Sequence, residues 1–444
     1  MVAGALFSPP VSALAKLLSV PRRPAESFTL ANGLQVVVLP SARAPIVNQL
    51  VVYKVGSADE TLGHTGIAHF LEHMMFKGTA SAGPTEFSRT ISRNGGRDNA
   101  YTGFDATGYY QTIAADRLEL VMRLEADRMV NLRISEKELG PERQVVLEER
   151  RMRIDNVPAE QLDEAVREQL FGHGRPYGMP TAGYVDDVKK LGVGDLTTFY
   201  RKHYVPNNAV LIVAGDTSAD KVRPLAEKHY GAIARGRIEP RRRPATGGPG
   251  LPQRVTRADA RVVEPGWSRD FLAPSYVMGE TRHAHALIVL ARLFGEGETS
   301  HLWKAMVEDS KIALSASAGY GATSLGLSSF GLYVHPAPEA TTAAIETAVA
   351  DQMKKVVDGD VTAEEVERTQ NRLLAGAIYS QDVLSAGPRL YASTLSTGGT
   401  IDDINAWPER IAAVRPDDVV AAARHVWRDD GAVTSLLSPA GGSR

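Results

Sequence analysis

Residues 66–79, GIAHFLEHMMFKGT, are the stretch around which the rest of this chain can be interpreted. They place His69, Glu72 and His73 on one predicted helix. At about 100° of rotation per residue, His73 lies roughly 40° round from His69, and Glu72 lies about 60° to the other side. All three side chains therefore crowd one helix face. Two imidazoles at this spacing can each give a nitrogen to one Zn²⁺ at about 2.0–2.1 Å, and a carboxylate on the same face can accept a proton from a water at the metal.

The order of the motif, His-x-x-Glu-His, reverses the commoner His-Glu-x-x-His arrangement. This reversed order is typical of the inverzincin class of hydrolytic zinc centres. The alternative is a helix whose His and Glu face is solvated or salt-bridged to neighbouring residues. A third protein ligand elsewhere in the chain would favour the metal centre, because a catalytic zinc is held by three protein side chains.

A second predicted helix supplies candidates for that ligand. Residues 138–153, ELGPERQVVLEERRMR, show helical periodicity, and Pro141 is expected in the first turn. Glu142 and Glu149 are seven residues apart, about two turns, so they share a face and either could reach the metal. Glu148 is rotated about 100° from Glu149 and is expected to face solvent.

The segments HFLEHMMFKGT and ERQVVLEE, in this order, resemble the pitrilysin, insulysin and mitochondrial processing peptidase family of zinc peptidases, most closely its smaller two-domain bacterial branch. The similarity runs through most of the first half of the chain, from FTLANGLQVVV through VGSADE and GGRDNAYT to YVPNNAVLIVAGD. The resemblance implies an inverzincin zinc metallopeptidase with one Zn²⁺ ion per chain.

The resemblance also implies a role for each matching residue. His69, His73 and Glu149 are expected to ligate zinc. Glu72 is expected to act as the general base, and Glu142 to support the ligands as a carboxylate just outside them. In this family the strand containing GRDNAYT borders the cleft, which places three residues beside a bound peptide: Asn99, Ala100 and Tyr101. An edge strand there could also pair with an extended peptide through main-chain hydrogen bonds.

Length and composition bound the remaining possibilities. A chain of 444 residues is longer than most single domains, so two domains of about 200 residues each are expected. With 50 basic and 52 acidic residues, the formal net charge of −2 offers no positive field for nucleic acid or an anionic membrane. The absence of cysteine excludes disulfides, thiol catalysis and cysteine-ligated metals.

The chain begins with the apolar segment MVAGALFSPPVSALA, which ends in a small-residue Ala-Leu-Ala site. It lacks the positive start of a signal peptide, so residues 1–26 are interpreted as the remnant of an export signal or as an N-terminal arm. The first interpretation predicts a periplasmic protein, and the second a cytoplasmic one. No stretch of about 20 apolar residues occurs, which predicts that no segment spans a membrane.

The second half of the chain repeats the plan of the first. HALIVLARLFGEGETSHL echoes GIAHFLEHMMFKGTASAG, EEVERTQNRLLAGAI echoes ERQVVLEERRM, and ARHVWRDDGAVTSLLSP echoes YRKHYVPNNAVLIVAGD. This repeat predicts an α+β fold of two homologous α/β-sandwich lobes, each a mixed sheet covered by helices, which form half of a clamshell. Leu287 and Leu290 fall near the ligand positions of the second copy, so no second metal centre is expected.

The expected boundaries are a catalytic, zinc-binding lobe over residues 27–234, a linker over 235–255 and a degenerate homologous lobe without a metal site over 256–444. The linker concentrates Arg, Pro and Gly. Its arginine run at 241–243 is interpreted as part of a solvated, stiffened connector rather than a nucleic-acid-binding patch.

Together these features predict a zinc-dependent endopeptidase that hydrolyses peptide bonds in small or unfolded peptides, with a zinc-activated water and Glu72 as general base. The expected partners are a peptide substrate and a second chain in a dimer, with a homologous metal-less chain favoured over an identical copy. The alternative is a non-catalytic scaffold or peptide-binding subunit of a larger assembly. Three protein ligands leave a coordination position open, which favours the enzyme.

Overall fold

The fold is taken from a computed structural model that describes residues 25–244 and 251–441. The export-signal remnant or N-terminal arm was predicted for residues 1–26, so nearly all of that prediction lies outside the described residues. Within the described part, each half of the chain forms one β-sheet with helices packed on it.

The described part of the first half contains a six-stranded sheet, built from Glu26–Thr29 (β1), Gln35–Pro40 (β2), Ile46–Tyr53 (β3), Arg97–Thr102 (β4), Thr107–Ala114 (β5) and Ala209–Gly215 (β6). The strand order is β1-β2-β6-β3-β5-β4. β2 and β6 run parallel and the other neighbours are antiparallel, so the sheet is mixed. The central strands are rich in Val, Ile and Leu because helices cover both of their faces.

The helices of the first half follow the sequence periodicity closely. They are Ile67–Met74 (α1), Glu86–Arg93 (α2), Leu118–Asn131 (α3), Glu136–Arg150 (α4), Pro158–Phe171 (α5), Val185–Lys190 (α6), Val193–His203 (α7) and Ala219–Tyr230 (α8). A π-helical turn, Arg151–Asp155, continues α4. Such turns often occur at functional sites, and this one directly follows the predicted ligand Glu149.

The prediction that Pro141 lies in the first turn of its helix is wrong. α4 begins at Glu136, and Pro141 lies inside it. Proline removes the main-chain bond to the carbonyl of Lys137, four residues earlier. The turn before it stays helical because Leu139 is fully buried in the core, and packing there outweighs one lost hydrogen bond.

The second half forms a five-stranded sheet in its described part, from Gln253–Asp259 (β7), Gly266–Ala273 (β8), Ala313–Tyr320 (β9), Ser328–Pro336 (β10) and Ala432–Pro439 (β11). Its helices are Ala284–Gly295 (α9), His301–Trp303 (α10), Thr342–Asp358 (α11), Ala363–Tyr379 (α12), Ala386–Ser396 (α13), Ile401–Ala412 (α14) and Pro416–Val426 (α15). A π-helical turn, Lys304–Asp309, follows α10.

The two sheets have equivalent topology. The order β7-β11-β8-β10-β9 reproduces β2-β6-β3-β5-β4, with the same parallel pair followed by the same antiparallel neighbours. β1 is the extra edge strand of the first sheet. By their place in the repeat, α9 corresponds to α1, α12 to α4, α13 to α5 and α14 to α6. The predicted fold class, two homologous lobes of mixed sheet and helices, is confirmed.

The two halves are interlocked, a feature that the sequence did not indicate. α13 packs on β3 and β6 of the first sheet, where Tyr391 and Leu395 share a buried apolar cluster with Leu50 and Ile212. In return, α5 packs on β7 and β11 of the second sheet. Each half therefore covers a face of the other half's sheet. The domain boundaries at 27–234, 235–255 and 256–444 remain a proposal, because α5 and α13 pack across them.

The interpretation of residues 241–243 as a solvated connector is wrong for two of the three arginines. The Arg243 side chain is only 3% exposed and binds Asp59 Oδ1 at 2.8 Å and Asp105 Oδ1 at 2.9 Å. Arg241 donates to the main-chain carbonyls of Asp105 and Ser396, one in each half. Arg242 is the exposed member of the run. The connector is therefore part of the interface between the halves.

The same buried cluster also receives the loop between β9 and β10. The main-chain N–H of Leu325 donates to Asp105 Oδ2 at 3.1 Å, and the N–H of Gly326 donates to the hydroxyl of Tyr177 at 2.8 Å. Tyr177 in turn donates to Asp105. One buried carboxylate therefore joins the first half, the connector and the second half.

We predict that Arg243→Met lowers the free energy of unfolding by about 3–5 kcal/mol, because it removes the cation of Asp105 and leaves Asp59 with Arg241 alone, at 3.6 Å. Equilibrium urea unfolding measures this difference. Arg242→Met is the matched control, since its side chain is exposed, and its effect should stay within about 0.5 kcal/mol. Equal effects of the two substitutions would contradict the buried-cluster account.

Candidate metal centre

α1 carries the motif, and its own amphipathicity orients the motif. Ile67, Phe70, Leu71 and Met74 pack into the core of the first half. The opposite face carries His69, Glu72 and His73, which are only partly buried. Burial of the apolar face therefore turns all three predicted functional side chains towards one cleft.

The start of α1 is held by a carboxylate from outside the helix. The N-cap residue, Gly66, has a φ of 83° and offers no side-chain cap. The buried Glu60 takes that place: Oε2 accepts the N–H of Gly66 at 2.7 Å, and Oε1 accepts the N–H of Ala68 at 2.9 Å. These are two of the N–H groups that a helix leaves without an internal partner. Residue 66 must be glycine, because a Cβ there would lie 2.8 Å from the carbonyl oxygen of Ala182.

His69, His73 and Glu149 converge at the bottom of the cleft. Glu149 Oε2 lies 3.0 Å from His73 Nε2 and 3.7 Å from His69 Nε2. One ligand atom from each of the three residues lies within 4.8 Å of the others. In a tetrahedral zinc site the donor atoms stand about 3.4 Å apart, so side-chain rotations alone would bring the three atoms to zinc-ligand distances. Two imidazoles and one carboxylate are also a donor set found in catalytic zinc sites.

The protonation of His69 suits metal binding. Burial, reinforced by the neighbouring His73, lowers the pKa of His69 to about 4, so its ring is neutral and has a free lone pair at neutral pH. His69 Nδ1 is buried and has no hydrogen-bond partner among the described residues.

His73 Nδ1 contacts Glu142 Oε1 at 2.9 Å. Burial lowers the pKa of His73, but its hydrogen bond to Glu142 and the charge of Glu149 outweigh burial and raise that pKa, so His73 must release a proton when it binds a metal. When His73 donates a proton there, its Nε2 lone pair points towards Glu149 and the metal position.

Glu142 and Glu149 contact opposite nitrogens of the His73 ring, Nδ1 and Nε2, and the roles of supporting carboxylate and ligand that the resemblance implied for them stay predictions. Spacing alone did not decide which of the two residues reaches the metal, but Glu142 contacts the side of the His73 ring that faces away from Glu149. It also forms an ion pair with Lys77. Burial raises the pKa of Glu142, but the hydrogen bonds from His73 and Lys77 outweigh burial and lower it, so the group is a carboxylate. Glu148 is exposed and bonds to Arg151, as expected for a residue outside the site.

Glu72 lies beside the three candidate ligands. The hydroxyl of Thr102, on β4, donates to Glu72 Oε2 at 2.5 Å. Burial raises the pKa of Glu72, while this hydrogen bond opposes the rise. The Glu72 carboxylate is suited to exchanging protons with a water molecule in the cleft. The hydroxyl of Thr102 fixes where that carboxylate lies.

The cleft has a volume of about 900 Å³ and contains every predicted site residue. β4, the outermost strand of the first sheet, forms one wall and contributes the three residues predicted to border a peptide: Asn99, Ala100 and Tyr101. Asn99 is exposed. Tyr101 also packs into the cluster beneath α13, so part of its side chain serves the core.

Several residues at this site were not predicted from the sequence. Arg153 forms an ion pair with Glu149 at 2.8 Å, and their four-residue spacing on a helix could have indicated it. Arg150 bonds to Glu164 on α5 and to the carbonyl of Gly183, which touches Gly66 at the start of α1. Contacts of this kind join residues far apart in sequence, so periodicity carries no signal for them.

One group of potential metal ligands stands out among the described residues. Among residues 25–244 and 251–441, His69, His73 and Glu149 are the one group of three or more potential ligands found close enough to hold an ion. In α9, Leu287 and Leu290 are fully buried in the core of the second half. No helix in the described part of the chain is long and apolar enough to cross a membrane.

The fold and the donor set define a two-lobed α+β protein with a candidate catalytic metal centre in its first lobe. Residues 36–181 match the family described as "Insulinase (Peptidase family M16)", and residues 190–373 match the one described as "Peptidase M16 inactive domain". The chain belongs to peptidase family M16.

Individual relatives agree with this assignment. The zinc protease PqqE of Helicobacter pylori is 30% identical over 419 residues, 93% of each chain. An uncharacterized zinc protease of Streptomyces coelicolor is 31% identical over 412 residues, which cover 90% of this chain and 86% of that protein. The crystal structure of a protease from Helicobacter pylori superposes with a TM-score of 0.86 at 28% identity, covering 94% of this chain and all of that one.

A longer protein shares the fold. The periplasmic protease PqqL of Escherichia coli superposes with a TM-score of 0.78 at 20% identity. The match covers 93% of this chain but 47% of PqqL. This chain therefore has the architecture of one half of that molecule.

We predict that Glu142→Ala weakens zinc binding about 10- to 100-fold, because His73 loses the partner that orients its ring. A titration against a chelating zinc indicator measures the affinity. Glu142→Gln keeps an acceptor for His73 Nδ1 and should lose less. Glu148→Ala, on the exposed face of the same helix, should leave the affinity unchanged, and a loss equal to that of Glu142→Ala would contradict the assigned role.

Proposed function

We propose that this chain is a zinc-dependent endopeptidase that hydrolyses peptide bonds in small or unfolded peptides. The observation that carries the proposal is the convergence of His69, His73 and Glu149 within 4.8 Å, with Glu72 on the same helix and in the same cleft. A partly buried cluster of two imidazoles and two carboxylates is costly to fold unless its charges and lone pairs are used. Membership of a peptidase family whose relatives are named zinc proteases supports the same conclusion.

In the proposed assignment, His69 and His73 would hold Zn²⁺ through ring nitrogens and Glu149 through a carboxylate oxygen. When bound, zinc would polarise a peptide carbonyl and make a water molecule more acidic. The protein would supply the remaining steps. Three protein ligands leave room for water and substrate, which is the pattern of catalytic rather than structural zinc sites.

Glu72 is the proposed general base and acid. It would accept a proton from the attacking water and return that proton to the leaving amine. Its fixed position depends on Thr102, which donates to Oε2, so the other oxygen remains available to the reacting water. Because Thr102 belongs to β4, the strand that would bind the peptide also holds the base.

β4 is the proposed peptide-binding element. It is the edge strand of the first sheet, so the main-chain groups on its outer side are available to an extended peptide. A peptide added there would pass Asn99, Ala100 and Tyr101 and run past Glu72. Main-chain pairing requires an extended peptide and does not depend on side-chain identity, which favours unfolded or short substrates over folded proteins.

A dimer is part of the proposal. The chain matches one half of the fold of PqqL, so a second chain could occupy the place of the other half. We favour a homologous chain without a metal site as the partner, over an identical copy. The periplasmic location, with the cytoplasm as alternative, stays a prediction because it depends on residues outside those described.

The competing function is a non-catalytic scaffold or peptide-binding subunit. The match to an inactive M16 domain supports it only for residues 190–373, which contain none of the four proposed functional residues. A scaffold has no need for His69, His73 and Glu149 together with Glu72. Catalysis is therefore the better account of the first half.

We predict that wild type binds about one zinc ion per chain and cleaves a pool of unstructured peptides, whereas Glu72→Gln keeps the zinc and loses at least about 100-fold in kcat/KM. His69→Ala should lose the metal itself. Metal analysis and mass spectrometry of the peptide pool measure both properties, on the chain alone and with any co-purifying chain, whose presence light scattering would reveal.

Glu148→Gln is the matched control, because it makes the same chemical change on an exposed face, and it should retain full activity. Zinc binding by wild type without cleavage, alone or with a partner, would reject the peptidase and support the scaffold function. Cleavage of a stably folded protein at the rate of unstructured peptides would contradict the proposed substrate class.

A further inference from the structure

A second cavity lies in the second half of the chain and shares no residue with the metal cleft. Its volume is about 780 Å³, within the range of about 300–1,000 Å³ typical of small-molecule sites. It is lined by the segment that leads into α9, the end of α12, and one side each of α13 and α14. The metal chemistry proposed for the first half makes no use of it.

The position of this cavity follows from the duplication. The metal cleft is lined by α1, the end of α4, α5 and the loop before α6. The corresponding elements α9, α12 and α13 line the cavity together with α14, whereas β9, the counterpart of β4, does not. The cavity therefore lies among helices that correspond to those of the metal cleft, although no group of potential metal ligands is found there among the described residues.

The walls of the cavity are mainly aromatic and aliphatic. Tyr276 and Trp407 contribute rings, and the exposed side chains of Leu390 and Val277 lie at the mouth. The indole N–H of Trp407 donates to the hydroxyl of Tyr276 at 3.0 Å, which fixes the two rings relative to each other. Flat, rigid apolar walls favour a flat apolar ligand, because rings stack at little conformational cost.

The polar groups of the cavity favour an uncharged ligand. Arg410 forms an ion pair with Asp403 at 2.9 Å, and Arg282 pairs with Glu280 at 3.1 Å, so the charged side chains of the lining are already paired. His285, whose ring centre is 5.0 Å from that of Tyr276, is a hydrogen-bonding group beside the rings, and uncharged polar side chains such as Thr394 and Asn405 also line the cavity. Burial and the charge of Arg410 lower the pKa of His285 to about 4, so it is neutral at pH 7 and can donate or accept one hydrogen bond.

We propose that this cavity is a second binding site, which takes an uncharged aromatic small molecule of about two rings that carries one hydroxyl or amide group. The rings would lie against Tyr276 and Trp407, and the polar group would bond to His285. The site requires no metal and does not depend on peptide cleavage, so it stands or fails independently of the proposed peptidase activity.

The test is isothermal titration calorimetry of the full chain at pH 7 with 2-naphthol, and with 2-naphthoate as its charged counterpart. We expect saturable binding of one 2-naphthol per chain and at least about tenfold weaker binding of the carboxylate, which finds no free cation. Absence of 2-naphthol binding at millimolar concentration, or tighter binding of 2-naphthoate, would overturn the proposal.

Two variants locate the site. Leu390→Asp places a charge at the mouth and should weaken 2-naphthol binding at least about tenfold. Val383→Asp is the matched control: Val383 is 55% exposed and Leu390 43%, both lie in the segment around the start of α13, but Val383 does not line the cavity. It should change the affinity less than twofold. Equal losses in both variants, with unchanged circular dichroism, would reject this location.

A further titration distinguishes a small molecule from a peptide as the ligand of the cavity. The uncharged peptide acetyl-Ala-Ala-Phe-Ala-Ala-amide is titrated into the Glu72→Gln chain, so that cleavage cannot contribute heat. We expect weaker binding than that of 2-naphthol. Tighter binding that Leu390→Asp abolishes would assign the cavity to a peptide side chain and overturn the small-molecule ligand.

Discussion

The proposed function depends on one geometric constraint: two ligands on α1 and a third on α4 must meet within a few ångströms. Neither helix alone can bring the three ligands together, because the position of one helix relative to the other is set by the contacts that each makes with its surroundings. α1 is held by its buried apolar face and by Glu60 at its start. α4 is held by Arg150, which joins its end to α5 and to the loop that touches Gly66. The site is thus built into the packing of the first half rather than placed on a flexible loop.

The duplication explains why the described residues of this chain contain one candidate metal centre. Both halves have the same sheet topology, but the second has filled the ligand positions of α9 with core residues such as Leu287 and Leu290. Its contribution is structural: α13 covers one face of the first sheet, and the loop after β9 bonds to Asp105. The strands that position the site therefore depend on the half without ligands. Removing the second half would expose Val37 and Ile212 of the central strands and leave Asp105 with fewer partners.

The sequence could predict the parts of this arrangement that depend on local periodicity. The face shared by His69, Glu72 and His73 follows from helix geometry, and the repeat of strands and helices follows from the echoed segments. Spacing could not decide which of Glu142 and Glu149 is the candidate ligand, because both lie on one face of α4. Their contacts distinguish them: Glu142 lies against His73 Nδ1, and Glu149 lies against His73 Nε2. Glu60, Thr102 and Arg243 were missed for a different reason. Each acts on a residue in another element, and Arg243 reaches back 138 positions to Asp105. The residues next to Arg243 in the sequence indicated a solvated connector, but its ion pairs with residues distant in sequence bury its side chain.

The most direct test of the central claim is X-ray absorption spectroscopy of the zinc-loaded chain, compared with the His73→Ala and Glu149→Ala variants. The account predicts a first shell of two imidazole nitrogens and oxygen ligands at about 2.0–2.2 Å, with one position taken by water. It also predicts that His73→Ala no longer retains the metal, and that zinc kept by Glu149→Ala has lost a protein carboxylate from its ligands. An unchanged first shell in both variants, or four protein ligands with no water, would show that zinc is bound elsewhere or serves only a structural role.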